Sequence, residues 1–77
     1  MMVSKGKYTA NFNATVAMRG RVEMWQGQWH IYDTTSNSTL AVRTGAAGVV
    51  KEVQDSALED ARLGAIADMD ELIERDG

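Results

Sequence analysis

The chain has no cysteine, no proline and a single histidine among its 77 residues. Without cysteine, neither a disulfide nor a thiolate metal site can staple the fold, and nothing points to an oxidising compartment. One histidine excludes both a Cys-His pair and a two-histidine metal site within one chain. Aromatic residues make up only 6%, so the bulk of a core rests on very few side chains. No apolar run approaches the roughly 20 residues of a membrane span. The first seven residues, which include Lys5 and Lys7, lack the apolar stretch of a secretory signal, and a cytoplasmic protein is the expectation. Repeats and low-complexity runs are also missing. A hydrophobic share of 44% is ordinary for a globular domain, so residues 1–77 read as one small domain of thin stability.

The clearest pattern present is alternation. Tyr8, Ala10, Phe12, Ala14 and Val16 alternate with Thr9, Asn11, Asn13 and Thr15, the period of a half-buried strand over residues 7–17. Residues 1–6 read as a flexible arm. Downstream, Gln26-Gly27 has the form of a two-residue hairpin turn joining strands 21–25 and 28–32. That turn places Met24 opposite Trp29 and Val22 opposite Ile31, with Val22, Met24, Trp29 and Ile31 on one face. Arg21, Glu23, Trp25, Gln28, His30 and Tyr32 then share the other. A three-residue loop at Met18-Arg19-Gly20 sets Val16 opposite Val22 and gives the same apolar face. Residues 33–38 are a polar turn cluster, and residues 39–43 read as a short fourth strand with Leu40 and Val42 inward.

From Thr44 the period changes. Ala46, Val49, Val50 and Val53 have helical spacing with Thr44 as a candidate N-cap, although three valines also suit a fifth strand. Ser56-Ala57-Leu58-Glu59 has the form of a capping box, followed by a stripe of Leu58, Ala61, Ala65, Ile66, Met69, Leu72 and Ile73. A break near residues 54–56 is favoured, because one helix over residues 45–75 is longer than so small a domain. The fold class is therefore α+β: an antiparallel β-meander of three to four strands over residues 7–44, packed on one face by one or two C-terminal helices from residues 45–76. Its expected core is Tyr8, Phe12, Val16, Val22, Met24, Trp29, Ile31, Leu40 and Val42.

Charge is unevenly spread. Residues 1–43 hold five cations against two acids, whereas residues 44–77 hold three against nine. A basic sheet and an acidic helix follow. The acids Asp68, Asp70, Glu71, Glu74 and Asp76 lack the loop spacing and glycine of a calcium-binding hand, so no metal and no cofactor is expected. His30, read as facing Glu23, has no serine brought to it by this topology, and Ser4, Ser36, Ser38 and Ser56 all lie in turns or caps. The chain reads as non-enzymatic.

Two functional readings stand. The first is a protein-interaction module, an inhibitor or accessory protein of phage or mobile-element type. It binds a protein partner through the face carrying Arg21, Glu23, Trp25, Gln28, His30 and Tyr32, or through the acidic helix with Asp68, Glu71 and Glu74. In size and organisation the chain is similar to small antiphage-defence inhibitors and antitoxin-type proteins, a likeness of class that carries no motif and transfers no residue. The alternative is nucleic-acid binding by the sheet, with Lys7, Arg19, Arg21 and Arg43 on phosphates and Trp25 or Tyr32 stacking on bases. Both readings allow a monomer or a homodimer.

Overall fold

A computed structural model describes residues 1–36 and 39–76, with the backbone alone at Arg19. Strands β1 (Met2–Lys5), β2 (Tyr8–Arg19), β3 (Val22–Asp33) and β4 (Arg43–Ala46) precede one helix, α1 (Gln54–Asp76). The strands form an antiparallel meander in the order β1-β2-β3-β4, and α1 packs on one face. No helix among the described residues is long and apolar enough to cross a membrane.

The central hairpin turns at Gly20-Arg21, with Gly20 at φ 61° and Arg21 in ordinary backbone space, the pattern of a type II′ turn. From there the register runs unbroken from Arg19 opposite Val22 to Tyr8 opposite Asp33. Gln26-Gly27 is therefore not a turn; it lies within β3. The reason for glycine is tertiary: a Cβ at Gly27 would stand 2.8 Å from the Ala61 nitrogen and collide with the Ala57 carbonyl. Strand β3 passes directly beneath the helix backbone at this point.

This register changes which side chains face the helix. Tyr8, Ala10 and Phe12 of β2 point inward as expected, and so do Trp29 and Ile31 of β3. Val22 and Met24, expected in the core, lie on the opposite face, because Val16 pairs with Trp25 instead of Val22. Val16 has the expected parity but lies beyond the end of the helix, and 51% of it is exposed. Leu40 and Val42 are also exposed and lie in the connection before β4, which begins at Arg43.

Residues 1–6 are not a loose arm. Val3 pairs with Ala10 and packs against the core, and the Phe12 amide donates to the Met1 carbonyl at 2.8 Å. The Asp33 carboxylate accepts from the Thr35 amide and hydroxyl at 2.9 and 2.6 Å, which ends β3. Asn37 and Ser38 of the polar turn cluster, like Ser38 as a candidate nucleophile, fall outside the described residues.

The helix expected over residues 46–53 is not formed. Thr44 sits in β4 opposite His30, and Lys51 exchanges backbone hydrogen bonds with Trp25 at 2.7 and 2.8 Å. Between the contact of Ala47 with Gly27 and that of Lys51 with Trp25, this edge carries two residues more than β3, so Gly48 to Val50 loop outward. The helix then begins at Gln54, and the Ala57 amide reaches the Val53 carbonyl at 3.2 Å. Ser56 is thus inside the first turn and does not cap it. The 23 residues of α1 span about 34 Å. Their buried row is Ala57, Ala61, Ala65 and Met69, flanked by Leu58, Ile66 and Leu72.

Small residues allow that close approach, and Trp29 fills what remains. Its indole rests against Gly45 of β4 and Gly64 of α1, where an added Cβ at either position would strike the ring. Gly64→Ala is consequently expected to reverse the usual helix preference. Alanine should add about 1 kcal/mol by propensity, but overpacking against the indole costs about 1–3 kcal/mol. Thermal unfolding should show a lower midpoint for Gly64→Ala and no such loss for Gly48→Ala, where a Cβ meets open space.

Candidate functional site

The six sheet residues expected to share one outer face do not do so. Arg21 is at the hairpin tip. Glu23 and Trp25 have the parity of Trp29 and lie on the helix side, whereas Gln28, His30 and Tyr32 lie on the far side. His30 stands opposite Asn11 and Thr44, so its expected pairing with Glu23 is absent; Glu23 pairs with Met18. Trp25 is partly buried beside the Lys51 segment instead of standing alone on an outer surface.

The acids nominated on the helix have structural partners. The Trp29 indole N–H donates to Asp68 at 2.8 Å, and Arg43 lies 3.7 Å from Asp68 and 3.3 Å from Glu71. Further along, Lys5 pairs with Asp70, Lys51 lies 3.7 Å from Asp60, and Lys7 lies 3.4 Å from Asp76 and 3.6 Å from Asp33. Glu74 alone of the nominated acids is exposed with no ion pair to a described residue. The charge split is therefore largely satisfied inside the molecule: cations of the sheet and of the chain leading into α1 hold the acidic helix down. Among the described residues there is no cluster of His, Asp and Glu arranged to hold a metal, and no pocket.

The exposed large apolar side chains of β2 and β3 lie at the distal end of the central hairpin. The β2–β3 ribbon continues past Gly27, which lies under Ala57 and Ala61 near the start of α1, and no described helix or further long strand covers its distal half. Val16, Val22 and Met18 are 51%, 54% and 57% exposed there, with Met24 and Trp25 partly buried beside them. Val16, Met18 and Trp25 lie on the helix side of the sheet, and Val22 and Met24 on the other. Val49 and Val53, on either side of the Lys51 bridge to Trp25, are exposed as well. The signal available in the sequence was the unbroken alternation of residues 8–16, which carries Val16 onto the apolar parity at the far end of a long strand.

At the opposite end, the Tyr8 hydroxyl donates to Asp76 and fixes the last helical turn to β2. That bond, assisted by Lys7, holds the Asp76 carboxyl below the ordinary carboxylate range, while the same bond and burial raise the Tyr8 phenol. A depressed acid stabilises the fold above its unfolded value, near 4, and loses that contribution as pH falls through the lower folded value. A carbon-13 carboxyl titration should find the Asp76 midpoint below the ordinary aspartate value and moved upward by Tyr8→Phe. An unchanged midpoint in that variant would show that the phenol does not hold the carboxylate.

Compared with protein-family models, curated proteins and solved structures, the chain finds no match.

Proposed function

We propose that this chain is a non-enzymatic protein-interaction module that engages a protein partner through the distal half of its β2–β3 ribbon. The observation that carries this reading is the exposure of Val16 and Met18 beside the partly buried Trp25, all three on the helix side of the sheet. A contiguous apolar surface of this kind marks a binding site more often than a solvated one, and Trp at its centre is the residue type most enriched among binding hot spots. Such a chain acts by occupying a surface of its partner, as an inhibitor or accessory subunit does.

The acidic helix is the weaker candidate, because Asp68 and Glu71 are engaged by Arg43, and Asp68 also by Trp29. Freeing them for a basic partner means breaking contacts that hold the helix to the sheet. The nucleic-acid alternative meets a similar obstacle: Lys7 and Arg43, nominated for phosphates, face carboxylates. The Arg19 side chain lies outside what the structure describes. Among the described side chains, the far sheet face offers Asn11, Asn13, Gln28 and His30, hydrogen-bonding groups without the cations that backbone binding draws on.

Affinity capture from a lysate of the source cells, followed by mass spectrometry, tests the assignment. A partner retained by the wild type is expected to be lost with Trp25→Ser and with Met18→Asp, and kept with Glu74→Lys. A partner that survives both ribbon variants but is lost with Glu74→Lys places the contact on the helix. Labelled duplex DNA is expected to stay unbound at about 100 μM protein, the range of weak non-specific binding.

A further inference from the structure

We infer that the distal edge of β2 pairs with the same edge of a second copy of this chain, antiparallel across a twofold at Val16. The inference rests on the reading of the ribbon as an interaction surface and names its first occupant. The Phe12 amide donates to the Met1 carbonyl across the β1 side of β2. Strand geometry then directs the backbone N–H and C=O of every second residue, Ala14, Val16 and Met18, toward that same side. Strand β1 ends its pairing at Phe12, and no described residue pairs with β2 beyond it on this edge.

Open edges are normally guarded by lysine, proline, a bulge or a covering loop. Of residues 13–19 only Arg19, next to the turn, carries a charge; none is proline, and their register with β3 is unbroken. The other long edge is treated differently: β4 and the Lys51 bridge cover β3 from Ile31 to Trp25.

Length selects the twofold. The open segment runs from residue 13, just past the end of β1, to residue 19, just before the turn, and its midpoint is Val16. A second copy centred there pairs the whole segment; its turn at Gly20 falls opposite Phe12, so dimerisation displaces Met1 from its two hydrogen bonds at that position. Ala14 meets the partner's Met18, Thr15 meets the partner's Ala17, and no charge faces a like charge. Even-numbered residues stay on the helix side in both copies, as an antiparallel register with even parity requires. Because α1 begins over Gly27, opposite Ala14, the twofold carries the second helix to the far end of the sheet. The two copies then form one eight-stranded sheet. Across its centre run Trp25, Val16, the partner's Val16 and the partner's Trp25, a single apolar row that neither copy presents alone.

Engineered cysteines give a clean readout, since the chain has none of its own. Directly opposed residues of a hydrogen-bonded antiparallel pair have Cα atoms about 5.5 Å apart, inside the disulfide range. Val16→Cys is therefore expected to oxidise to a covalent dimer. Met18→Cys is equally exposed, but its counterpart lies four residues along the strand, about 13 Å away, and it should stay uncrosslinked. Wild-type protein at about 100 μM should sediment near twice the monomer mass. Val16→Lys, with unchanged circular dichroism, should weaken that association at least tenfold. A monomeric wild type at this concentration, or crosslinking of Met18→Cys as fast as Val16→Cys, overturns the inference. A monomer that still captures its partner through Trp25 overturns the twofold and leaves the proposed function standing.

Discussion

The position of Trp29 governs the rest of the molecule. Its indole is the largest side chain in the core, and it is accommodated only because Gly45 on the neighbouring strand and Gly64 on the helix have no side chain to meet it. Its N–H is satisfied by Asp68, so the ring is anchored as well as packed. With the helix fixed there and over Gly27, its buried row of Ala57, Ala61, Ala65 and Met69 follows. The proximal half of the hairpin is covered. The distal half is left bare, because the Lys51 bridge holds the chain at Trp25 and the helix starts only three residues later.

The charges serve the same closure. A chain with a basic first half and an acidic second half suggests a molecule polarised toward outside partners. Here those opposite signs mostly meet each other: Arg43 reaches across to Asp68 and Glu71, Lys5 to Asp70, and Lys7 to Asp76. Each of these pairs is partly exposed and individually modest, but together they select the orientation of the helix on the sheet. What the fold leaves uncovered is thus less its charge than its apolar ribbon.

Legibility in the sequence followed the reach of the forces involved. Alternation along β2 and the i, i+4 row of the helix are local, and the α+β meander was readable from them. So were Tyr8, Phe12, Trp29, Ile31, Ala61, Ala65 and Met69 as core residues. Gly27 misled because a glycine required by a helix 30 residues downstream looks the same as one required by a turn. Reading it as a bend, and Met18-Arg19-Gly20 as a three-residue loop, shifted the pairing of residues 22–25 by an odd number of positions. Their faces were thereby inverted, which put Met24 inside and Trp25 outside. Trp29 and Ile31 kept their correct side only because the false turn compensated for the false loop. The connection before the helix was obscured for a related reason: the valines of residues 49–53 have helical spacing, but the bridge between Lys51 and Trp25 decides their conformation.

A long two-stranded ribbon, closed at one end by a helix and open along one edge, therefore unites the observations. Its continuity through Gly27 is the claim on which the exposed surface, the open edge and the shared face of the two tryptophans all depend. Measuring short Hα–Hα contacts between strands by nuclear Overhauser spectroscopy in uniformly labelled protein tests it most directly. The account predicts cross-peaks between Val16 and Trp25 and between Ala14 and Gly27, the close non-hydrogen-bonded pairs of the observed register. Cross-peaks between Met24 and Trp29, the signature of a bend at Gln26-Gly27, would contradict it.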